Sequence, residues 1–399
     1  MTSGQATTIG MSLGLVLVTS ACTDRVIHDR LCGDGRLSPG EVCIGEGDVS
    51  SLAIEGLAPL SIRVADFDGE GRPDLMVMGL DDATGAVAGR MFRGDGEGGF
   101  DAALDPGVYG CSAHPVPGAI DDDGIDDLLV DDCEASVSLF RGTSSGVFEP
   151  PLTVFTGALT SSSGLLDLDA DGLREVVLYG SLDPQTLVLS VAEREPGGAF
   201  AAPVISPLGG LPSDFVPGGF GIFDFDGDQF PDALLSDGDR IEGIAVARGE
   251  AGLRFGVPTL IAPPGLPPGP TTSRDLDGDG TNEILQVRFD DQALVVLDIE
   301  GGTLVERAST DVPGLEPGLI ALADIDGDDV LDFMRVDAGP AQLHAWLGRS
   351  DGTFTGPTRI DLDVPADQIA FADLDGDEAL DLLVGSFEQS IVRVFLNAP

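Results

Sequence analysis

The chain contains the nine-residue stretch Asp373-Leu374-Asp375-Gly376-Asp377-Glu378-Ala379-Leu380-Asp381, which carries carboxylates at its first, third, fifth and ninth positions. This acidic pattern occurs seven times along the 399-residue chain, in segments that we number loops one to seven. The loops begin at Asp66, Ala119, Asp167, Asp224, Asp275, Asp324 and Asp373, at intervals of 53, 48, 57, 51, 49 and 49 residues. A repeat period of this length indicates a solenoid, a propeller or an array.

The residue types in the loops predict calcium binding. Closely packed carboxylates repel one another unless a cation lies among them, and Ca2+ takes roughly 6–8 oxygen ligands in a flexible geometry. Side chains at positions 1, 3 and 5 can point at one centre, the carbonyl of position 7 can join them, and position 9 can close the site in bidentate fashion. The candidate metal ligands are Asp66, Asp68, Glu70 and Asp74 in loop one; Asp121, Asp123 and Asp127 in loop two; Asp167, Asp169, Asp171 and Glu175 in loop three; Asp224, Asp226, Asp228 and Asp232 in loop four; Asp275, Asp277, Asp279 and Glu283 in loop five; Asp324, Asp326, Asp328 and Asp332 in loop six; and Asp373, Asp375, Asp377 and Asp381 in loop seven.

The loops differ in two ways that affect the predicted binding. In loop two, Ala119 replaces the first ligand, so we expect poor binding there, although Asp122 or Asp126 could compensate. Glycine accepts a positive φ without steric cost, and loops one, three and five combine all four carboxylates with glycine at position 6. Loops four, six and seven carry Gln229, Asp329 and Glu378 at that position. A tight turn is therefore less favourable in these three loops.

The segments around the loops have the pattern of strands. An EF-hand loop begins in a similar way, but it needs a glutamate at position 12 and flanking helices. Here position 10 is apolar in every copy, and most loops precede two strands, the second of which ends in an Arg-Gly turn such as Arg93-Gly94. A Gly-x-Phe turn such as Gly98-Gly99-Phe100 often opens a further segment. About four strands per repeat correspond to one propeller blade.

The loops and the Gly-x-Phe turns resemble the FG-GAP/VCBS repeats that form the blades of integrin-α-like propellers. The resemblance covers residues 48–399 and implies an all-β, seven-bladed β-propeller with a DxDxDxxxD calcium loop between the first two strands of each blade. The last blade ends with residues 391–396, where an outer strand should follow. We therefore predict that residues 49–54 supply this strand, close the ring and pair an open sheet edge.

The first residues predict export. Residues 1–21 have the pattern of a signal peptide, and their apolar run is too short to span a membrane. Small residues before Cys22 resemble a bacterial lipoprotein cleavage site, which implies a lipid on Cys22 and a location at the cell envelope, on the outer membrane or the cell surface. Ordinary secretion is the alternative, because no Lys or Arg precedes the apolar run and Thr19 stands where Leu is usual. Residues 22–47 would then form a lipid-anchor linker.

The remaining four of the 5 cysteines are then available for pairing. The segment from Cys32 to Cys43 resembles a short Cys-rich motif of myxobacterial surface proteins. The resemblance implies a Cys32–Cys43 disulfide, which would staple a segment too small to have its own core. Cys111 and Cys133 flank loop two, and we hypothesise that a disulfide between them replaces the missing ion.

Charge and composition exclude several functions. The formal net charge is -49, and all 20 basic residues are arginines. Nucleic acid is excluded as a partner, because binding it requires phosphate neutralisation by Lys and Arg, and the absence of Lys excludes Schiff-base chemistry. Residues 94–99 match a dinucleotide-binding pattern and residues 142–146 match a nucleophile elbow, but both lie in turns between predicted strands without the required helix.

The sequence thus predicts a monomeric, non-enzymatic, calcium-binding propeller without catalytic residues. Its inter-blade loops would bind a protein or a polysaccharide at the cell envelope. Two other functions stay open. One is a carbohydrate-active enzyme, a polysaccharide lyase or hydrolase, with acids in the central funnel. The other is a purely structural surface protein.

Overall fold

The computed structural model describes most of the chain after residue 31. The described residues are 32, 37, 39–110, 115–121, 123–131, 136–157, 159–183, 186–195, 198–211, 215, 217–226, 228–237, 244–261, 271–276, 282–300, 303–313, 315, 319–337 and 341–397. The predicted signal peptide, the lipid site at Cys22 and the pairing of Cys111 with Cys133 lie outside these residues. Within them, no helical segment has the length and hydropathy needed to cross a bilayer.

Seven four-stranded antiparallel sheets form the blades of a propeller, and the prediction of an all-β, seven-bladed fold is confirmed. The first strands of blades one to seven are β2 (Leu57–Ala65), β6 (Val116–Gly118), β10 (Leu159–Leu166), β16 (Pro217–Phe223), β22 (Thr271–Arg274), β26 (Leu319–Ala323) and β30 (Gln368–Ala372). The second strands are β3 (Asp74–Asp81), β7 (Asp127–Asp131), β11 (Glu175–Asp183), β17 (Asp232–Asp237), β23 (Glu283–Arg288), β27 (Asp332–Val336) and β31 (Asp381–Ser386). Each first strand ends immediately before position 1 of an acidic loop, and each second strand begins at position 9. The loops therefore connect the first two strands of every blade.

The outer half of each blade completes the sheets. The third strands are β4 (Val87–Phe92), β8 (Ser136–Phe140), β12 (Thr186–Ala192), β18 (Ile244–Ala247), β24 (Ala293–Glu300), β28 (Gln342–Gly348) and β32 (Ile391–Asn397). The fourth strands are β5 (Tyr109–Gly110), β9 (Leu152–Thr156), β15 (Val204–Pro207), β21 (Thr259–Ile261), β25 (Thr303–Asp311) and β29 (Phe354–Asp361), and in blade seven β1 (Ile44–Ala53). Two short ribbons, β13 (Arg194–Glu195) with β14 (Ala199–Phe200) and β19 (Gly249–Glu250) with β20 (Arg254–Phe255), extend the turns after the third strands.

The N-terminal strand β1 pairs antiparallel with β32, the third strand of the last blade. The register runs from Val49 opposite Phe395 to Ala53 opposite Ile391, and an irregularity separates these pairs from Ile44 opposite Asn397. The strand thus begins at Ile44, before the segment 49–54 that the sequence indicated. It occupies the position that fourth strands occupy in the other blades.

The hydrophobic core lies between the blades. Among the described residues, seven apolar clusters form, and each one joins two neighbouring blades. One of them packs Leu75 and Val77 of blade one against Leu383 and Val394 of blade seven. Burying one such side chain stabilises the fold by about 1.5–3 kcal/mol. Side chains alternate between the two faces of a strand. Because both faces of each blade pack against a neighbouring blade, the strands are apolar along nearly their whole length.

The repeated Gly-x-Phe turns pack against the preceding blade. Gly98 and Gly146 have φ values of 81° and 71°. A Cβ atom at Gly98 would lie 2.6 Å from Leu396 Cδ2 of blade seven, and one at Gly146 would lie 2.6 Å from Met91 Cε of blade one. These turns need glycine both for the positive φ and for the close approach of the neighbouring blade.

Candidate metal loops

The acid at position 9 fastens each loop to its blade. In all seven loops one oxygen of this carboxylate accepts a hydrogen bond from the backbone N–H of position 2, at 2.7–3.1 Å. In loops one, two, four, six and seven the other oxygen accepts from a backbone N–H at the end of the third strand or just after it, such as Gly94 in loop one and Gly348 in loop six. These carboxylates are buried. Because both oxygens of these acids in loops one, two, four, six and seven already accept backbone hydrogen bonds, an ion there would have to share an oxygen with a backbone donor.

The acids at positions 1 and 3 converge with position 9. In loops one, three, four and six, one carboxylate oxygen from each of these three positions lies within 4.8 Å of the other two. The acid at position 1 also accepts a hydrogen bond from the N–H of position 6, as Asp324 does from Asp329 at 2.8 Å. The acid at position 5 accepts from the N–H of position 7, as Asp328 does from Val330 at 3.0 Å. The loops therefore wrap their own backbone around a group of carboxylate oxygens.

Position 6 adopts the left-handed conformation whether or not it is glycine. Gly71 and Gly172 have φ values of 79° and 88°, and Gln229, Asp329 and Glu378 have values of 74°, 66° and 72°. The three non-glycine residues thus adopt the tight turn that the sequence predicted to be less favourable for them. A side chain with a Cβ pays about 1–2 kcal/mol for this conformation.

An arginine from the Arg-Gly turn reaches the acid at position 3 of the same blade. Arg93 Nε lies 3.0 Å from Asp68 Oδ2, and Arg141 Nε lies 3.6 Å from Asp121 Oδ2. In loop four, Arg248 Nη1 lies 2.9 Å from Asp226 Oδ2 and 3.0 Å from Asp232 Oδ2. Sequence reasoning treated these arginines only as markers of a turn, although their recurrence after the third strand was the available signal. In these loops a guanidinium already offsets part of the negative charge.

Loop six has an apolar residue in place of this arginine, because Leu347 precedes Gly348 where Arg93 precedes Gly94. Its acids Asp324, Asp326 and Asp332 are all buried. Burial raises the pKa of Asp324 to about 6. The pKa of Asp332 is also well above its usual range, first because of burial and then because of the adjacent Asp326 charge. The pKa of Asp326 is raised for the same two kinds of reason, by burial and by its neighbours Asp328 and Asp324.

Among the described ligand residues, two buried carboxylate oxygens lack hydrogen-bond partners. Asp326 Oδ1 of loop six and Asp66 Oδ1 of loop one are buried and accept no hydrogen bond. A buried carboxylate oxygen without a donor is costly, and a cation in the group would satisfy it. The oxygen-only donor set is the set that Ca2+ prefers. These residues therefore fit a hard divalent cation.

The N-terminal segment covers loop six. Cys32 and Cys43 are joined by a disulfide, with their Cα atoms 5.5 Å apart. Between them, Gly40 N–H donates to Asp326 Oδ2 at 2.5 Å, and the Leu37 side chain comes within 3.0 Å of the position that a Cβ of Gly327 would occupy. Cys43 N–H donates to Asn397 Oδ1, whose amide nitrogen donates in turn to Ile325 O. Loop six is thus enclosed by residues distant in sequence.

Loop two has Ala119 at position 1, and the structure directs Asp126, a possible substitute ligand, to a neighbouring loop. The Asp126 carboxylate accepts from the backbone N–H of Asp66 at 3.1 Å, so it contacts loop one. The reason is packing, since loop two lies against loop one with Ile125 beside Gly69. Within loop two, Arg141 pairs with Asp121. Asp122 lies outside the described residues.

The other predicted ligands vary. In loop one, Glu70 pairs with the exposed Arg72 instead of joining the three converging acids. In loop five, Glu283 Oε1 accepts from Arg307 at 3.1 Å, and Asp277 and Asp279 lie outside the described residues. The remaining candidates occupy their loop positions with the same backbone hydrogen bonds, among them Asp171, Asp228, Asp373, Asp375 and Asp377.

The fold and its loops define the chain as a seven-bladed β-propeller with acidic inter-strand loops. Its overall structure is similar to a chain in the crystal structure of BBS1N in complex with ARL6DN, soaked with lead, with a TM-score of 0.58, 9% identity, and coverage of 89% of this chain and 97% of that one. Weaker similarity relates it to the Pseudomonas aeruginosa periplasmic gluconolactonase PpgL (TM-score 0.47, 18% identity, 80% and 87% coverage) and to the exotype rhamnogalacturonan lyase YesX (0.44, 11%, 91% and 75%). No protein-family model and no curated protein matches the chain. At these identities the similarity concerns the fold alone.

Proposed function

We propose that the chain is a calcium-binding, non-enzymatic propeller of the FG-GAP/VCBS type, with loop six as its principal ion site. The supporting observation is the loop-six group itself. Three buried carboxylates converge there, one of their oxygens has no hydrogen-bond partner, and Leu347 stands where an arginine would otherwise supply positive charge. When bound, the ion would supply the missing positive charge.

In this proposal the ions stabilise the scaffold. Each loop joins the first two strands of a blade, and the acid at position 9 also holds the turn after the third strand. A cation among these acids would neutralise their repulsion and thereby fix three strands relative to one another. Loops one, three, four and seven would bind more weakly than loop six, and loop two would bind least because Ala119 removes a ligand.

The pairing of β1 with β32 supports a further part of the proposal, which is that the N-terminal strand closes the ring. Blade seven packs on blade one through an apolar cluster, and β1 then covers the edge that β32 would otherwise expose. An unpaired edge is open to pairing with another chain. The strand would therefore fix the last blade and protect it from aggregation.

We further propose that the propeller is exported, is held at a bacterial envelope by a lipid on Cys22, and binds a protein or a polysaccharide through its inter-blade loops. The net charge of -49 supports a well-solvated surface that repels nucleic acid. A glycan array combined with a hydrolase and lyase screen tests the binding role. Turnover of a polysaccharide that is lost on mutating two channel-lining acids would contradict it.

Thermal unfolding with calcium or with chelator tests the ion proposal, because a ligand that binds only the folded state stabilises it by mass action. We expect Asp326→Asn to remove most of the calcium-induced rise in Tm. Glu388→Gln, which changes an exposed acid at a hairpin tip, is the matched control and should keep the full rise. Equal melting with and without calcium in the unmodified protein would contradict the proposal.

A further inference from the structure

Two arginines lie on the strands that surround the propeller axis. Arg63 belongs to β2 of blade one and Arg274 to β22 of blade five. First strands of neighbouring blades adjoin one another around the axis, as β2 does with β6 and β30, and β22 with β16. Arg63 precedes loop one by three residues, and Arg274 precedes loop five by one. Because side chains alternate along a strand, both arginines stand on the equivalent face of their strands. Their depths along the axis differ by two residues, or about 7 Å.

Among the residues that the structure describes, neither guanidinium has a carboxylate partner. Arg63 Nε donates to Pro115 O at 2.9 Å, and its Nη1 donates to Ile62 O at 2.7 Å. Arg274 Nη1 donates to Ser273 O at 2.6 Å. A guanidinium has five N–H donors, so each arginine keeps donors that no group in the described part of the chain accepts. The carbonyl contacts orient the two side chains without neutralising them.

This absence of acids is unusual in a chain with 69 acidic and 20 basic residues. Elsewhere in the described chain, ten arginines lie close to carboxylate oxygens. They are Arg72, Arg90, Arg93, Arg141, Arg248, Arg288, Arg307, Arg335, Arg359 and Arg393. Arg63 and Arg274 on the inner strands have no such counter-charge among the described residues.

Both side chains are half-buried and have no counter-ion among the described residues. Burial lowers the pKa of Arg63 to about 10. Both side chains nevertheless keep part of their surface accessible, as expected for residues that line a channel. A half-buried cation without a counter-ion gains from pairing with an anion, and its planar guanidinium matches carboxylate, sulfate and phosphate groups in geometry.

We propose that the axial channel binds an oxyanion-bearing ligand, and that Arg63 and Arg274 are its cationic contacts. This inference rests on the proposed binding function and assigns it a ligand class, namely a molecule that carries a carboxylate or a sulfate group. Gln368 of blade seven accepts from Ile62 N–H at 2.8 Å, which places a third polar side chain near Arg63. The strongly negative remainder of the molecule repels anions that lack this specific fit.

Isothermal titration of the calcium-loaded full-length chain with glucuronate and, separately, with sodium sulfate tests the proposal at constant ionic strength. We expect the unmodified protein to bind at least one probe, and we expect Arg63→Gln and Arg274→Gln each to weaken that binding by about 10-fold or more. Arg359→Gln is the matched control, because Arg359 is exposed and pairs with Asp361 on an outer strand. It should bind the probe as the unmodified protein does. The two probes distinguish a sugar acid from an inorganic anion as the source of the oxyanion.

Absence of binding of both probes to the unmodified protein would overturn the proposal, as would an equal loss in Arg359→Gln. If Arg63→Gln does not fold, Arg274→Gln and the probe-induced rise in Tm of the unmodified protein still decide the question. Both variants should keep the calcium-induced rise in Tm. Loss of anion binding with calcium stabilisation retained therefore separates this inference from the calcium proposal.

Discussion

At the scale of single residues, the acidic loops adopt the same left-handed backbone conformation whether or not glycine is present. Position 6 is left-handed in Gly172 and also in Gln229, Asp329 and Glu378. Position 4 is left-handed in Gly327 and in Ala170. In loops four, six and seven the acid at position 1 accepts a hydrogen bond from the N–H of position 6, which supports the turn where glycine is absent. Glycine lowers the cost of the turn in the other loops.

Loop three offers a matched pair of substitutions. Ala170→Gly should raise the free energy of unfolding by about 0.5 kcal/mol, because relief of the left-handed conformation exceeds the entropy cost of glycine. Gly172→Ala should lower it by about 0.5 kcal/mol, because the cost of a left-handed alanine exceeds the entropy cost of glycine by about this amount. No atom lies within 4 Å of a Cβ at Gly172, so the cost is conformational and not steric. Urea unfolding of both variants measures the two changes, and effects of the same sign would contradict this account.

The arginines of the Arg-Gly turns act as built-in cations. Arg248→Gln should lower the Tm measured in chelator, because Asp226 and Asp232 lose their partner. The rise in Tm on adding calcium should then exceed that of the unmodified protein, since an ion would replace the lost charge. Arg359→Gln is the control for loss of a surface ion pair. A calcium-induced rise that is unchanged or smaller in Arg248→Gln would argue against the substitution of arginine for metal.

At the scale of elements, the disulfide-closed segment links the chain terminus to loop six. Replacing both Cys32 and Cys43 with Ser should lower the free energy of unfolding by at most about 3 kcal/mol, as expected for a short closed loop. It should also weaken calcium binding at loop six, because Gly40 N–H orients the Asp326 carboxylate. Calorimetric titration of this variant and of Asp326→Asn with calcium separates the loss of calcium affinity from the loss of stability. Unchanged calcium affinity in the Ser variant would show that the segment does not support the site.

Much of this architecture was predictable from the sequence, because each blade is specified locally. The period of the acidic loops, the apolar position 10 and the Gly-x-Phe turns predict strand order within a repeat. The pairing of Arg93 with Asp68, the contact of Asp126 with loop one and the cover over loop six were not predictable. They depend on how neighbouring or distant segments meet in space, and Gly40 and Asp326 are separated by 286 positions.

At the scale of the whole molecule, the acids that fasten the loops determine how stability depends on pH. Burial, as the largest cause, raises the pKa of Asp127, Glu175 and Asp381 to about 7 and that of Asp74 to about 6. Their ordinary values are about 4. The folded state therefore binds more protons than the unfolded state between these values, and stability falls as pH rises from about 4 to about 7.

In chelator, we expect the Tm to be higher at pH 5.5 than at pH 8. Calcium should reduce this difference, because it stabilises the ionised carboxylates and competes with protons more effectively at pH 8. Melting curves at both pH values, with calcium and with chelator, measure the effect. A chelated protein that is more stable at pH 8 than at pH 5.5 would contradict the assignment of raised pKa values to the loop acids.

The central claim is that loop six holds a calcium ion, and crystallography of the calcium-loaded protein tests it most directly. An anomalous difference map should show a peak among Asp324, Asp326 and Asp332, the three carboxylates that converge in loop six. We expect a weaker peak, or none, at loop two, where Ala119 replaces a ligand. Crystals grown in millimolar calcium that show no peak at loop six would contradict the claim.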